Sequence, residues 1–146
     1  FFQNILHEQF NTLAGKTVTL LGFAFKQDTG DTRDSPAIPL CEKLLGEHAK
    51  VRVHDPKALE NAKIDLQEMQ GDVRFVEDVY EAAEGAHAIA LVTQWTDYSR
   101  LDFKRIFQTM VKPAFIFDGR NHLDHQKLFE IGFNVFPLGK SPLKHV

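Results

Sequence analysis

The stretch KTVTLLGFAFKQDTGDTRDSPAIPLCEKLL, residues 16–45, reads as a buried strand, a long polar loop and the opening of an amphipathic helix. Residues 16–22 alternate β-branched and aliphatic side chains and end in Gly22, as a fully buried strand does. Asp34 or Ser35 can cap the helix, Pro36 suits its first position, and Ile38, Cys41, Leu44 and Leu45 form its apolar face. Pro39 falls in the first turn and blurs the start. Five further strand-like runs follow, at residues 50–54, 73–76, 87–92, 114–117 and 133–136. Helical patterns separate most of them, at 79–84, 103–110 and 124–131, and residues 56–72 leave room for a short helix. Strands alternating with helices predict βαβ units and right-handed crossovers. The expected fold class is therefore α/β: a Rossmann-like, doubly wound, mostly parallel sheet of about six strands in the order 3-2-1-4-5-6, with a five-stranded flavodoxin-like order as the alternative. The G-x-G-x-x-G loop of dinucleotide-binding folds is missing. Phe23, Ala24, Phe25 and Lys26 follow Gly22, and their side chains obstruct the close backbone approach to a pyrophosphate that glycines permit.

The rest of the sequence fits one ordinary globular unit. Its 146 residues are 43% hydrophobic and 25% charged, enough for a core of normal size. A net charge of −3 argues against a nucleic-acid platform. No apolar run approaches the roughly 20 residues of a membrane span, and no signal peptide is visible. The single cysteine, Cys41, excludes an internal disulfide and fits a reducing, cytoplasmic setting. No metal site is expected: HExxH and CxxC are absent, and His122 and His125 lack ligand partners at a recognised spacing. Phe1, Phe2, Ile5, Leu6, Phe10 and Leu13 recur at helical spacing, so residues 1–14 read as the end of a helix that continues upstream. Residues 15–140 form the domain, and residues 141–146 read as a frayed tail.

In a doubly wound sheet, ligands bind at the carboxyl ends of the strands near the switch point, here between strands one and four. Three loops converge there: residues 23–33, residues 93–95 and residues 118–120. They deliver Lys26, Arg33 and Arg120 to one edge, with Phe25 and Trp95 as apolar neighbours. Cations beside an aromatic suit a diphosphate attached to a flat base. The alternative is a solvated acidic loop in which Asp28, Asp31 and Asp34 accept backbone amides or pair with Arg33. The spacing of these acids does not match an EF-hand. Asp55, at the end of the second strand, stands where dinucleotide folds place a ribose-binding acid, although Asp55-Pro56 also reads as a plain turn. Cys41 on a helix's apolar face reads as packing, so no catalytic residue is assigned.

The segment GFAFKQDTGDTRDSP, residues 22–36, resembles the signature that opens the C-terminal domain of the UDP-glucose/GDP-mannose dehydrogenase family. KPAFIFDGRN, residues 112–121, resembles the same family's strand and loop before its UDP-binding arginine. VHDP, GAHAIALVTQW and the helix from Asp102 fall between them in the family's order, and TGDTR leans toward the UDP-glucose members. The resemblance implies that Phe25 and Lys26 contact the UDP-sugar, that Arg120 holds the uridine diphosphate, and that Arg33 reaches NAD bound mainly by a separate N-terminal domain. It further implies that UDP-glucose is oxidised twice, through a thiohemiacetal on a cysteine outside this chain. The chain alone is then inactive. Residues 1–14 become part of an interdomain helix at the core of a homo-oligomer. Two other readings stay open: a non-catalytic nucleotide-sugar-binding module, and a dehydrogenase of GDP-mannose or another nucleotide sugar.

Overall fold

A computed structural model describes residues 5, 7, 8 and 12–145. Phe1, Phe2, Leu6 and Phe10, on which the N-terminal apolar stripe was read, lie outside the described residues. Ile5 and Leu13 are buried in the core.

Six strands form one parallel sheet: β1 (Thr17–Leu21), β2 (Lys50–His54), β3 (Val73–Phe75), β4 (Ala88–Leu91), β5 (Phe115–Asp118) and β6 (Asn134–Pro137). Their order across the sheet is β3-β2-β1-β4-β5-β6, the doubly wound order expected. The helices are α1 (Ala37–Gly46), α2 (Leu59–Leu66), α3 (Val79–Ala83), α4 (Phe103–Thr109) and α5 (His125–Ile131), with a 3-10 turn at Thr96–Arg100. Every residue of β1, β4 and β5 is buried, as central parallel strands covered on both faces require. Thr19, a polar residue in the middle of β1, donates its hydroxyl to the Ala82 carbonyl at 2.7 Å, so its burial leaves no orphaned group.

Local chemistry sets the element ends. Asp78, Asp102 and Asp124 cap α3, α4 and α5 by accepting from Tyr80 N, Arg105 N and Lys127 N. α1 begins after Pro36, with the Ala37 amide donating to Ser35 Oγ. Pro39 is tolerated because an N–H in the first turn has no intrahelical partner anyway. Gly132 ends α5 at φ 133°, and a Cβ there would stand 2.5 Å from Phe107 Cζ. The phenylalanines cluster at the β5–β6 side. Phe117 stacks on Phe136 with centroids 5.0 Å apart, and Phe107 meets Phe133 edge-on at 5.1 Å.

The tail departs from expectation. Residues 141–145 do not fray: Leu143 pairs antiparallel with Val135 through bonds of 2.8 and 2.9 Å. The His145 ring stacks on Phe129 at 4.1 Å, and the His145 amide donates to Asn134 Oδ1. The physical reason is that β6 is an edge strand with an unpaired row of backbone groups, which the tail satisfies. Polar composition alone does not reveal such an offer.

Candidate functional site

Parallel strands point their carboxyl ends one way, so the loops after β1, β4 and β5 meet at one edge of the sheet. Gly22 makes the first turn. Its φ is 97°, and a Cβ there would lie 2.4 Å from Thr93 Cβ and 2.6 Å from Thr93 N. Only glycine lets the ends of β1 and β4 approach this closely.

Beyond Gly22 the chain is held by Asp55, which is 3% exposed. Its Oδ2 accepts the amides of Phe23 (2.8 Å) and Ala24 (2.9 Å) and the indole N–H of Trp95 (3.1 Å). Its Oδ1 accepts the amides of Lys57 and Ala58. The turn reading of Asp55-Pro56 therefore holds, and the carboxylate does more than cap a turn. The first backbone donors of the loop, which a dinucleotide's pyrophosphate uses in glycine-rich folds, are engaged by an internal anion. Together with the side chains of Phe23 and Phe25, this leaves no fit for a dinucleotide against the end of β1.

Lys26 and Phe25 follow directly. Phe25 is 46% exposed, and its amide donates to the Asp31 carbonyl at 2.8 Å. Lys26 is exposed and makes no hydrogen bond or ion pair among the described residues. Ser35 Oγ donates to the Phe23 carbonyl and Thr93 Oγ1 to the Ala24 carbonyl, each at 2.7 Å. Gln27 Oε1 accepts both the amide and the hydroxyl of Thr96. The loop carrying Phe25 and Lys26 is thus pinned to the β4 loop on both sides of those residues.

Arg120 sits on the loop after β5, which Asp118 organises. Asp118 is fully buried and accepts the amides of Arg120 (3.1 Å), His122 (2.8 Å) and Leu123 (2.9 Å), with His125 Nε2 at 2.8 Å. Arg120 Nε donates to the Val92 carbonyl at 2.8 Å. That bond fixes the plane of an exposed guanidinium whose terminal nitrogens have no partner among the described residues. Arg120 thus neither pairs with Asp118 through its side chain nor meets Asp124. Val92 receives Arg120, and its neighbour Thr93 binds Ala24, so both cation-bearing loops attach to adjacent residues at the end of β4.

Arg33 stands apart. Its side chain is 87% exposed and forms a two-bond fork with Asp31, Nε to Oδ1 at 3.0 Å and Nη2 to Oδ2 at 2.8 Å. The hydrogen bonds from that side chain hold the Asp31 carboxyl down at about 2, and the same bonds raise the Arg33 guanidinium. Trp95, expected as an apolar neighbour of the cations, is 4% exposed and its indole faces Asp55. It belongs to the scaffold, leaving Phe25 as the exposed ring. Burial pushes the Cys41 thiol up to about 12, consistent with packing and not with a nucleophile. Among the described residues no group of three or more His, Cys, Asp or Glu is arranged for a metal, and no helix is long and apolar enough to cross a membrane.

A cavity of about 770 Å³ lies elsewhere. It opens at the amino-terminal end of the sheet between α1, α2 and β3, around Leu45, His48, Met69 and Gly71. Volume and chemistry disagree here, and chemistry decides. Its lining carries four carboxylates, Glu42, Asp65, Glu68 and Asp72, against one lysine, Lys50, a balance that disfavours an anion, whereas Lys26 and Arg120 stand at the opposite edge of the sheet.

Sequence reasoning placed Lys26 and Arg120 at one edge but missed Asp55 and Asp118 as the carboxylates that shape their loops. Asp55 directly follows β2 and Asp118 is the last residue of β5, and an acid at a strand's carboxyl end is the signal available in the sequence.

The pattern describing the UDP-glucose/GDP-mannose dehydrogenase family, UDP binding domain, matches residues 19–125. UDP-glucose 6-dehydrogenase 1 of Arabidopsis thaliana is 43% identical across 96% of the chain, and UDP-glucose 6-dehydrogenase 2 of Oryza sativa subsp. japonica is 45% identical across 99%. The chain covers 33% and 34% of those proteins, about a third of their length. Among solved structures, a UDP-glucose dehydrogenase from Pyrobaculum islandicum superposes with a TM-score of 0.71 at 29% identity, over 90% of this chain and 29% of its own. An NDP-N-acetyl-D-galactosaminuronic acid dehydrogenase from Methanosarcina mazei superposes with a TM-score of 0.78 at 26% identity, over 96% of this chain and 29% of its own.

Proposed function

Since this chain belongs to the UDP-glucose/GDP-mannose dehydrogenase family, matching that family's UDP binding domain, we propose that it holds the uridine diphosphate of UDP-glucose within an NAD-dependent UDP-glucose 6-dehydrogenase. The observation that carries this reading is the pairing of Lys26 and Arg120. They are two exposed cations on loops bonded to Val92 and Thr93, adjacent residues just past the end of β4; among the described residues Lys26 makes no hydrogen bond or ion pair, and the Arg120 side chain bonds only through Nε, to the Val92 carbonyl. A diphosphate there meets one mobile point charge and one planar fork held by its Nε. Phe25 offers an exposed ring beside Lys26.

In the whole enzyme, NAD held by an N-terminal domain would supply the hydride acceptor for two successive oxidations, and a cysteine of that domain with one water would complete the change of the sugar's C6 alcohol to a carboxylate. This chain's part is to bind and orient the nucleotide. Arg33, on the open side of the loop, is the residue that reaches the cofactor held by the other domain. The fork to Asp31 fixes the orientation of its planar guanidinium until then. The N-terminal helix joins the domains and takes part in a homo-oligomer, and the setting is cytoplasmic. Arg33 favours this reading over a binding module without chemistry, which has no use for a cation off the diphosphate site.

The test is to titrate the full-length protein with UDP-glucose and with NAD separately. Each charge-assisted contact contributes about 1.5–3 kcal/mol. Arg120→Ala and Lys26→Ala each weaken UDP-glucose by roughly ten- to a hundredfold and leave NAD unchanged, while Arg33→Ala weakens NAD more than UDP-glucose. Wild-type UDP-glucose affinity in Arg120→Ala defeats the assignment. Loss of both ligands together with a lowered melting temperature shows that Arg120 only pins its own loop.

A further inference from the structure

The loops that carry Lys26 and Arg120 are joined through one buried residue. The indole N–H of Trp95 donates to Asp55 Oδ2 at 3.1 Å, the oxygen that also takes the amides of Phe23 and Ala24. Those amides lie just ahead of Phe25 and Lys26. At its other end, the Trp95 carbonyl faces His122 Nε2 at 2.9 Å and accepts the Tyr98 amide at 3.0 Å. The His122 amide donates to Asp118, the carboxylate that also takes the Arg120 amide. A continuous hydrogen-bonded path therefore runs from the Lys26 loop through Asp55, Trp95, His122 and Asp118 to the Arg120 loop.

A second, shorter tie bypasses Trp95. Thr93 Oγ1 binds the Ala24 carbonyl, and Arg120 Nε binds the Val92 carbonyl. With the Gln27–Thr96 bonds, these ties restrain both the distance between the loops and their relative rotation. Removing the Trp95 path leaves the loops attached but less tightly held in register.

We propose that Trp95 is a positioning residue for nucleotide-diphosphate binding, one that holds the Lys26 and Arg120 loops in register with each other. This rests on the reading that those two cations grip the diphosphate. A diphosphate has a fixed span, and charge-assisted hydrogen bonds weaken steeply with distance and angle. Two cations on separately moving loops must be ordered on binding, whereas two held by the scaffold are ordered in advance.

The test is a double-mutant cycle in the full-length protein, read as affinity for UDP. Trp95→Phe keeps the ring bulk and removes the N–H. It weakens UDP by roughly three- to tenfold in the wild-type background. In a Lys26→Ala, Arg120→Ala background the same substitution has no further effect, because no cations remain to position. If Trp95→Phe weakens UDP by the same factor in both backgrounds, Trp95 acts only through general stability and the proposal falls. It falls equally if Trp95→Phe binds UDP like wild type while Lys26→Ala and Arg120→Ala bind it weakly. If those two variants themselves bind UDP normally, the site assignment fails first. Should Trp95→Phe not fold, His122→Leu breaks the same path from its more exposed end and is read in the same cycle.

Discussion

Replacing Asp55 with alanine removes one carboxylate and leaves five donors without an acceptor. Two of them, the amides of Lys57 and Ala58, lie in a turn whose exposed residues Pro56 and Lys57 let water approach. The other three are the amides of Phe23 and Ala24 and the indole N–H of Trp95, on residues at most 4% exposed. A buried donor stripped of its partner costs about 1–3 kcal/mol. Three at the low end give about 3 kcal/mol, and a water entering the vacated volume limits the upper end to about 5 kcal/mol. That is a large share of the roughly 5–15 kcal/mol by which a domain is stable. Asp55→Asn keeps the volume but not the chemistry. Both carboxylate oxygens take donors, so the amide nitrogen points a donor at donors in either orientation, and the loss should be similar. The assay is urea unfolding, with the midpoint compared at constant slope. A drop of about 3–5 kcal/mol corresponds to roughly 10–15 °C in melting temperature for a chain of this size. If both variants unfold within about 1 kcal/mol of the parent, Asp55 is not holding the β1 loop, and the account of how Phe25 and Lys26 are placed is wrong.

Three further outcomes follow from the same structure. Gly22→Ala puts a Cβ against the Thr93 backbone at a φ of 97° and should cost upward of about 2 kcal/mol, measured by the same unfolding assay; a neutral result would mean that β1 and β4 separate easily. Burial lowers the His54 imidazole below its ordinary 6.5, against the opposing pull of Asp55, Glu77, Asp78 and Asp97. The unfolded chain therefore takes up a proton there before the folded one does. The stability is intact above about pH 6.5 and is lost as pH falls through the folded value, so melting temperature should drop less steeply from pH 7 to 5 in His54→Asn than in the parent; equal slopes contradict this. Cys41, buried with its thiol pushed up to about 12, should resist alkylation at pH 8 until the chain is unfolded, and rapid labelling of folded protein would show an open helix–sheet contact.

The strand order was legible because β1, β4 and β5 are apolar runs set between helical patterns, and connection handedness leaves few alternatives for such a rhythm. Strand ends shift by about a residue, as at β5, where Asp118 joins the ladder opposite Leu91 and Pro137. Lys26 and Arg120 were legible as site candidates because the topology alone sends their loops to one edge. Trp95 was legible as a neighbour of that edge but not as part of its scaffold: its indole meets a carboxylate 40 positions away, and no periodicity carries that bond. The same holds for Asp55, whose partners at Phe23 and Ala24 lie 32 and 31 positions upstream. Local patterns report which face a residue shows, whereas the scaffold of this site consists of long-range bonds between loops. The docked tail at Leu143 and His145 escaped notice for the same reason.

The most direct measurement is an amide-resolved NMR titration of this chain with UDP. The account predicts saturable shifts concentrated at residues 23–27, 92–96 and 118–122, around Phe25, Lys26 and Arg120, with the amides around Leu45, Met69 and Gly71 unmoved. Shifts centred on the large cavity between α1, α2 and β3, or no saturable shifts at millimolar UDP, would contradict it.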